Sequence, residues 1–395
     1  MYSLKSIIFG DYIRDMIQRE LGPIIESRLN SGKAIIVLGP RQSGKTTLLE
    51  TIAHLHGPFL LLDCDDPLTR ERLENPTTEQ LKQLIGSYQL VFIDEAQRVK
   101  NIGVTLKIIT DRLREVQLLV SGSSSLELAG EINEPLTGRK WEYMLFPVSW
   151  SELEKFYGNL KALQQLETRI LYGMYPDVII RIGDEQEVLR NLAGSYLYKD
   201  LLSFKGVRKP ELPEKLLRAL ALQIGNEVSY NELSGLLQVD KQTISTYIDL
   251  LEKAFVVFRL QPFSRNLRNE VNSTRKIYFY DTGIRNALIG NFSPLATRQD
   301  TGALWENFFL SERMKWLHYR RLFPGRYFWR TTQQQEIDYL EETNGRLTAF
   351  ELKWSPGAKF KLSKTFSGAY PGCDIRLVHR ENFMEFLSPP GSSLP

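Results

Sequence analysis

The sequence predicts an α/β protein: a doubly wound parallel sheet, then a helical stretch and a winged helix, then a smaller α/β domain. Three observations carry this. Short apolar runs alternate with amphipathic stretches from about residue 30 to 146, the texture turns wholly helical after Pro147, and strand-length runs return beyond residue 300. Alternation of short buried strands with helices is the pattern of a parallel sheet covered on both faces.

The first domain is read over residues 1–147. Its runs AIIVLG (34–39), FLLLD (59–63), QLVFIDE (89–95) and QLLVSG (117–122) are too short for helices and are flanked by breakers. Between them GKTTLLETIAHLH, TEQLKQLIGSY and VTLKIITDRLREV carry helical spacing. Residues 148–212 read as a helical, lid-like extension, 213–290 as a winged helix, and 300–385 as helix, strand, strand, strand, helix, strand.

Composition sets bounds on function. The chain has 395 residues, 42% hydrophobic and 25% charged, enough for more than one core, and a net charge of +3 gives no global field for nucleic acid. Cys64 and Cys373 lack CxxC spacing, which fits a reducing cytoplasm rather than a disulfide or zinc scaffold. His54, His56, His318 and His379 show no metal spacing beyond the HxH at 54–56. No apolar run reaches the ~18–20 residues of a spanning helix, so the expectation is a cytoplasmic protein with no membrane partner.

The chemistry begins at Gly39-Pro40-Arg41-Gln42-Ser43-Gly44-Lys45-Thr46, a full G-x-x-x-x-G-K-[ST] between a strand and a helix. Glycines let the backbone wrap phosphates, and N–H groups at a helix N-terminus favour anions. Lys45 would reach the β- and γ-phosphates and Thr46 would bind magnesium, with Thr47 a weaker contact. The run LVFIDEAQ ends a buried strand in Asp94, which would hold Mg²⁺, and Glu95, which would polarise the attacking water. Acids at a strand's carboxyl end lie where open α/β sheets bind ligands. Ser121 and Ser123 are candidate sensors of the γ-phosphate, equally readable as a serine-rich turn. Arg139 is the candidate catalytic arginine, acting in cis or across an oligomer interface, with a surface salt bridge as its plainer reading. The cofactors expected are therefore ATP and Mg²⁺.

In order, GPRQSGKTTLL, LLDCDDPLTRERLENP, VFIDEAQRV, VSGSSSLEL and LTGRKWEYMLFPVSWSEL resemble the DEAQ-type archaeal and bacterial AAA-like ATPases. The resemblance runs from about residue 15 to 385. LFPVSWSEL, GMYPDVI and YLYKDLL are more diagnostic than the widely shared P-loop. It implies a P-loop sheet of the AAA-related type, with an extra strand between the Walker A and Walker B strands. It also implies ATP rather than GTP.

Within 213–260, Ser229 to Glu232 forms a capping box and Asp240 an N-cap for KQTISTYIDLLEKA. If this element reads DNA, Lys241, Gln242, Ser245 and Thr246 face the groove, and Arg265, Arg268 and Arg275 meet phosphate. The alternative is a protein dock, since Asp249 and Glu252 follow on the same helix. Asp281 is read only as a helix cap.

The last segment resembles the PD-(D/E)XK nuclease core. The Thr343-Asn344-Gly345 turn joins two strands, and period-two alternation puts Glu351 and Lys353 on one face with Asp338 opposite. With Glu306 on the preceding helix, these make a possible second metal site. The proline of the family signature is missing, because Ile337 precedes Asp338.

Three functions follow as expectations: a Mg²⁺-dependent ATPase whose nucleotide state controls a DNA-directed C-terminal module; a nucleotide-switched regulatory protein that docks a protein partner, with slow hydrolysis and an inactive nuclease-like domain; and an ATP-gated DNA nuclease. Homo-oligomers are compatible with each.

Overall fold

The computed structural model describes residues 16–122, 134–196, 211–263, 275–331, 333–358 and 363–387. In chain order the first part holds α1 (Leu21–Glu26), β1 (Ala34–Leu38), α2 (Lys45–Leu55), β2 (Leu60–Asp63), α3 (Pro67–Leu73) and α4 (Thr78–Ile85). There follow β3 (Leu90–Asp94), α5 (Ile102–Arg112), β4 (Gln117–Gly122) and β5 (Lys140–Met144). The strands form one parallel sheet in the order β2-β3-β4-β1-β5. β4 therefore stands between the strand that enters the P-loop and the strand that ends in Asp94, as the family resemblance implies. β1, β3 and β4 are buried along their whole length, which is why they read as unbroken apolar runs.

Five short helices follow: α6 (Trp150–Tyr157), α7 (Asn159–Gln164), α8 (Leu166–Tyr172), α9 (Pro176–Ile180) and α10 (Glu185–Asn191). Ser149 opens α6 with a full capping box to Glu152. Next come α11 (Leu212–Leu222), β6 (Glu227–Val228), α12 (Tyr230–Leu237), α13 (Lys241–Lys253), β7 (Val257–Pro262), β8 (Arg275–Phe279) and α14 (Thr282–Ile289). Asp240 caps α13 by accepting from the Thr243 N–H at 2.8 Å, as expected. Ser229 accepts from Glu232 N–H at 3.4 Å, which is half of the expected box.

The C-terminal part holds α15 (Thr301–Tyr319), β9 (Gly325–Arg330), β10 (Glu336–Thr343), β11 (Arg346–Leu352), α16 (Lys364–Ala369) and β12 (Asp374–Val378). Asn344 (φ 51°) and Gly345 (φ 76°) turn the β10–β11 hairpin with both residues at positive φ, the geometry an Asn-Gly pair favours. A second sheet runs β12-β11-β10-β9-β7-β8-β6. It crosses from the winged-helix segment into the C-terminal segment, because β7 pairs in parallel with β9 at Gln261↔Tyr327 and Pro262↔Phe328. The two segments expected as separate units thus share a sheet.

The halves are also locked by buried polar contacts. Asp281 caps α14 through the Ile284 N–H at 3.1 Å and accepts from Met174 N–H at 2.6 Å. It lies so close to Gly173 (φ 75°) that a Cβ there would fall 2.0 Å from its carboxylate. The buried pair Glu312–Lys315 on α15 holds the turn before α6, Glu312 accepting from Trp150 N–H at 2.6 Å and Lys315 donating to the Val148 carbonyl at 2.9 Å. One apolar core runs from Ile35 and Leu119 of the first sheet to Trp305, Phe308 and Phe350 of the last segment.

Candidate functional site

The loop from Gly39 to Thr46 leaves the carboxyl end of β1 and enters α2. Gly39 sits at φ 150°, and a Cβ there would lie 2.2 Å from the Leu145 carbonyl oxygen, so the backbone at the foot of the loop needs glycine. Gln42 and Gly44 take positive φ (57° and 92°), curling the loop back on itself. Lys45 is buried and donates to the Gly39 and Pro40 carbonyls at 3.1 and 2.8 Å, so its ammonium spans the mouth of the loop. Ser43 is fully buried and its hydroxyl has no hydrogen-bond partner. Pro40 and Arg41 face the winged-helix segment across a small cavity lined also by Phe255 and Tyr280. Thr47 lies on the exposed side of α2, where with Gly44 and Leu48 it borders a groove of about 880 Å³.

Asp94 ends β3 beside this loop. The Thr46 hydroxyl lies 3.1 and 3.0 Å from its two carboxylate oxygens. The Ser121 hydroxyl donates to the same carboxylate and accepts from the Glu95 N–H at 3.1 Å. Burial pushes the Asp94 carboxyl up, the hydrogen bonds from Ser121 and Thr46 pull it down, and the neighbouring Glu95 and Asp63 push it up again; the balance is above the usual carboxylate range. Glu95 itself has left-handed backbone (φ 51°, ψ 42°), and its carboxylate accepts from the Gln97 amide at 2.5 Å. A non-glycine residue held there marks a constrained site. Ser123 lies outside the described residues.

Arg139 is not in this constellation. It stands at the entry to β5, its carbonyl accepting from the Ala34 N–H at 3.0 Å, and so lies at the end of the sheet opposite the P-loop. Its guanidinium pairs with Asp111 at 2.6 Å. The expectation that it reaches the γ-phosphate of its own chain is corrected: spacing along the sequence does not say at which end of the sheet a strand begins.

Two site residues carry no motif and were missed. Arg19, just before α1, donates to the Ser43 carbonyl of the P-loop at 2.5 Å and to the Phe146 carbonyl at 2.5 Å, and pairs with Glu152 at 3.1 Å. Glu152 is fully buried and also accepts from the N–H groups of Glu20 and Ser149. Only the sequence run LFPVSWSEL, which includes Phe146 and Glu152, pointed near this contact.

The expected C-terminal constellation is assembled but differently occupied. Lys353 lies 2.7 Å from Glu351 and 3.5 Å from Asp338, as strand alternation implies. Glu306 instead meets Lys276 of β8 at 3.0 Å and the Tyr278 hydroxyl, and Lys276 also pairs with Glu336. Burial pushes the Glu306 carboxyl up to about 7; Lys276 opposes this and Asp338 adds to it. Burial, with Asp338 beside it, likewise raises Glu351. Among the described residues no three His, Cys, Asp or Glu side chains gather as metal ligands. The four residues expected as a second metal site thus lie in one network of ion pairs, in which Lys276 holds Glu306 and Glu336 and Lys353 holds Glu351 and Asp338. Lys276 was missed because it comes from a strand of the preceding segment.

On α13, Lys241, Gln242 and Thr246 are exposed and Ser245 half-buried. Arg259 of β7 pairs with Asp249 at 2.7 Å and with Glu252, which removes much of the negative charge that follows on that helix. Arg265 and Arg268 lie outside the described residues, and Arg275 is half-buried at the start of β8. No helix among the described residues is long and apolar enough to cross a membrane.

Residues 31–154 match the AAA domain family, and 163–295 and 301–385 match two families each described as a domain of unknown function (DUF8612 and DUF4143). The chain is 31% identical over 341 residues to the uncharacterized protein Rv2008c of Mycobacterium tuberculosis, covering 85% of this chain and 74% of that one. It is 26% identical over 335 residues to the uncharacterized protein MJ1544 of Methanocaldococcus jannaschii, covering 77% and 72%. Among solved structures, a Walker-type ATPase of Pyrococcus abyssi aligns at 17% identity with a TM-score of 0.48, covering 69% of this chain and 96% of that one. The first domain is thus an AAA-type P-loop domain.

Proposed function

From the premise that the chain belongs to the family of the mycobacterial protein Rv2008c and carries an AAA domain, we propose that it binds ATP with Mg²⁺ at Gly39–Thr46 and hydrolyses it. The single observation that carries this is the Thr46 hydroxyl at 3.1 and 3.0 Å from both oxygens of Asp94. A hydroxyl and a carboxylate held together at the end of a P-loop are the oxygen donors that magnesium takes in such sites. The buried, unpartnered Ser43 hydroxyl inside the loop adds a further polar group awaiting a ligand.

In this reading Lys45 moves its ammonium from the Gly39 and Pro40 carbonyls to the β- and γ-phosphates. The loop's N–H groups bind the phosphate oxygens. Glu95 orients the attacking water, and Ser121, tied to both Asp94 and the Glu95 backbone, senses the γ-phosphate. Thr46 and Asp94 would hold magnesium, which would supply charge neutralisation for the phosphates. The nucleotide state then controls a DNA-directed C-terminal module, with Lys241, Gln242 and Thr246 as its base-facing side chains.

A second reading is favoured by one observation. Lys276 and Lys353 engage all four acids of the C-terminal cluster in ion pairs, which suits a docking module that cleaves nothing. The test is steady-state ATP hydrolysis with and without duplex DNA, wild type against Glu95→Gln. The mutant should keep ATP bound and lose at least about 10²-fold in turnover, the scale of a lost general base. Stimulation by DNA that stays intact supports the DNA-directed module. Hydrolysis indifferent to DNA favours protein docking, and fragmentation of the DNA would restore the nuclease reading. Wild-type turnover no higher than the mutant's would overturn the ATPase.

A further inference from the structure

Arg19 belongs to neither nucleotide motif, yet its guanidinium donates directly to a P-loop carbonyl. Its side chain is 7% exposed. It donates to the Ser43 and Phe146 carbonyls at 2.5 Å each and pairs with Glu152 at 3.1 Å, and the Tyr319 hydroxyl at the end of α15, which accepts from the Phe146 N–H at 3.3 Å, stands beside it. Burial works against its charge, but Glu152 and Tyr319 outweigh burial and hold it protonated. Glu152 is in turn fixed by the N–H groups of Glu20, Ser149 and its own capping box.

The contact at Ser43 matters because of which peptide it grips. The Ser43 carbonyl and the Gly44 N–H belong to one peptide unit. In a G-x-x-x-x-G-K-[ST] loop, that N–H is among the groups turned toward the phosphates. A charged donor on the carbonyl polarises the unit and strengthens the N–H as a donor on the other side. It also fixes the orientation of the peptide at Gly44, whose φ of 92° would otherwise be one of many open to glycine. Nη1 lies 3.4 Å from where a Gly44 Cβ would stand, so the guanidinium backs directly onto the loop.

We propose that Arg19 is a positioning residue for the nucleotide, presenting the Ser43–Gly44 peptide to the phosphates and tying it through Phe146, which bonds both Arg19 and Tyr319, to the long helix of the C-terminal part. This rests on the ATP-binding reading. It adds a residue that neither motif contains, and it names α15 as the element through which loop occupancy is felt.

The test uses the full chain, titrated with a fluorescent ATP analogue and with ADP in the presence of Mg²⁺, together with melting temperatures with and without ATP. Arg19→Gln should weaken both nucleotides at least about tenfold, the scale of one charged hydrogen bond. Arg19→Lys, which keeps the charge but not the three-way fork, should fall between it and wild type. Tyr319→Phe keeps the ring in its core and should weaken binding about two- to threefold. A merely structural Arg19 would lower the melting temperature of the free protein while leaving the ATP-induced rise and the affinities intact. That outcome in Arg19→Lys or Tyr319→Phe overturns the inference, even should Arg19→Gln fail to fold. A wild type that binds neither nucleotide sinks the ATP reading itself, a separate failure.

Discussion

At the scale of single residues, the charges that matter are those taken out of water with a partner. Glu306 shows the consequence for pH. Its carboxyl is pushed up to about 7 from an ordinary 4.5, chiefly by burial. The folded protein therefore holds that proton more tightly than the unfolded chain does. The stability this supplies is complete below pH 4.5 and is lost as pH rises through 7. His318 has the opposite sign: burial, with Arg326 and Arg321 beyond it, pushes its pKa down to about 4. Its share of stability is absent below pH 4 and restored as pH rises to 6.5. Urea denaturation of wild type and Glu306→Gln at a series of pH values separates the two. The mutant should lose less stability between pH 4.5 and 7 than the wild type loses, and equal slopes would contradict the assignment.

Elements are where the sequence was read best and also where its limits show. β1, β3 and β4 announced themselves as apolar runs, and the Asn344-Gly345 turn fixed the β10–β11 register, so Asp338, Glu351 and Lys353 came together as alternation requires. Those are local regularities, and local regularities are written in the chain. Arg19, Glu152 and Lys276 are not local. Each owes its role to a partner more than 20 residues away, and no periodicity marks such a pairing. Arg139 went astray for the same reason, because the end of the sheet at which it lies is a fact of topology. His318, spaced like no metal ligand, has a task of this non-local kind. Its Nε2 accepts from the Met144 N–H at 3.3 Å, and the Tyr319 hydroxyl accepts from the Phe146 N–H at 3.3 Å. These N–H groups point away from β1, so the end of α15 covers the outer edge of β5. The bond needs a neutral imidazole with Nε2 bare, which the lowered pKa secures. His318→Leu leaves the half-buried Met144 N–H without its partner and should cost about 1 kcal/mol, read from urea denaturation at pH 7; no measurable loss would mean that water serves that edge equally well.

For the whole molecule, the shared sheet and shared core decide what can stand alone. β9 leans on β7, Glu306 needs Lys276 and Tyr278, and Trp305 and Phe308 belong to a core that reaches back to β1. A fragment of residues 301–387 would expose the β9 edge and leave Glu306 buried without its cation, a loss that breaking a buried pair makes severe. Expressed by itself it should show no cooperative thermal transition, whereas the full chain should; a sharp melt from the fragment would show that the C-terminal segment is autonomous after all. The same continuity gives the P-loop and the far acids one mechanical body, with α15 reaching the first through Tyr319, Phe146 and Arg19 and touching the second through Glu306.

The cover over β5 also has a history in time. A ribosome delivers β5 about 160 residues before it delivers α15, an interval of roughly eight to thirty seconds at ~5–20 residues per second. For that interval the nascent first sheet is complete in its strands but open along one side, with the Met144 and Phe146 N–H groups available to any passing strand. An open edge of this kind is where a young chain sticks to its neighbours. The feature that joins the two ends of the finished protein is thus also what makes its birth hazardous, and folding yield should depend on synthesis speed and on chaperones in a way that the stability of the finished molecule would not reveal.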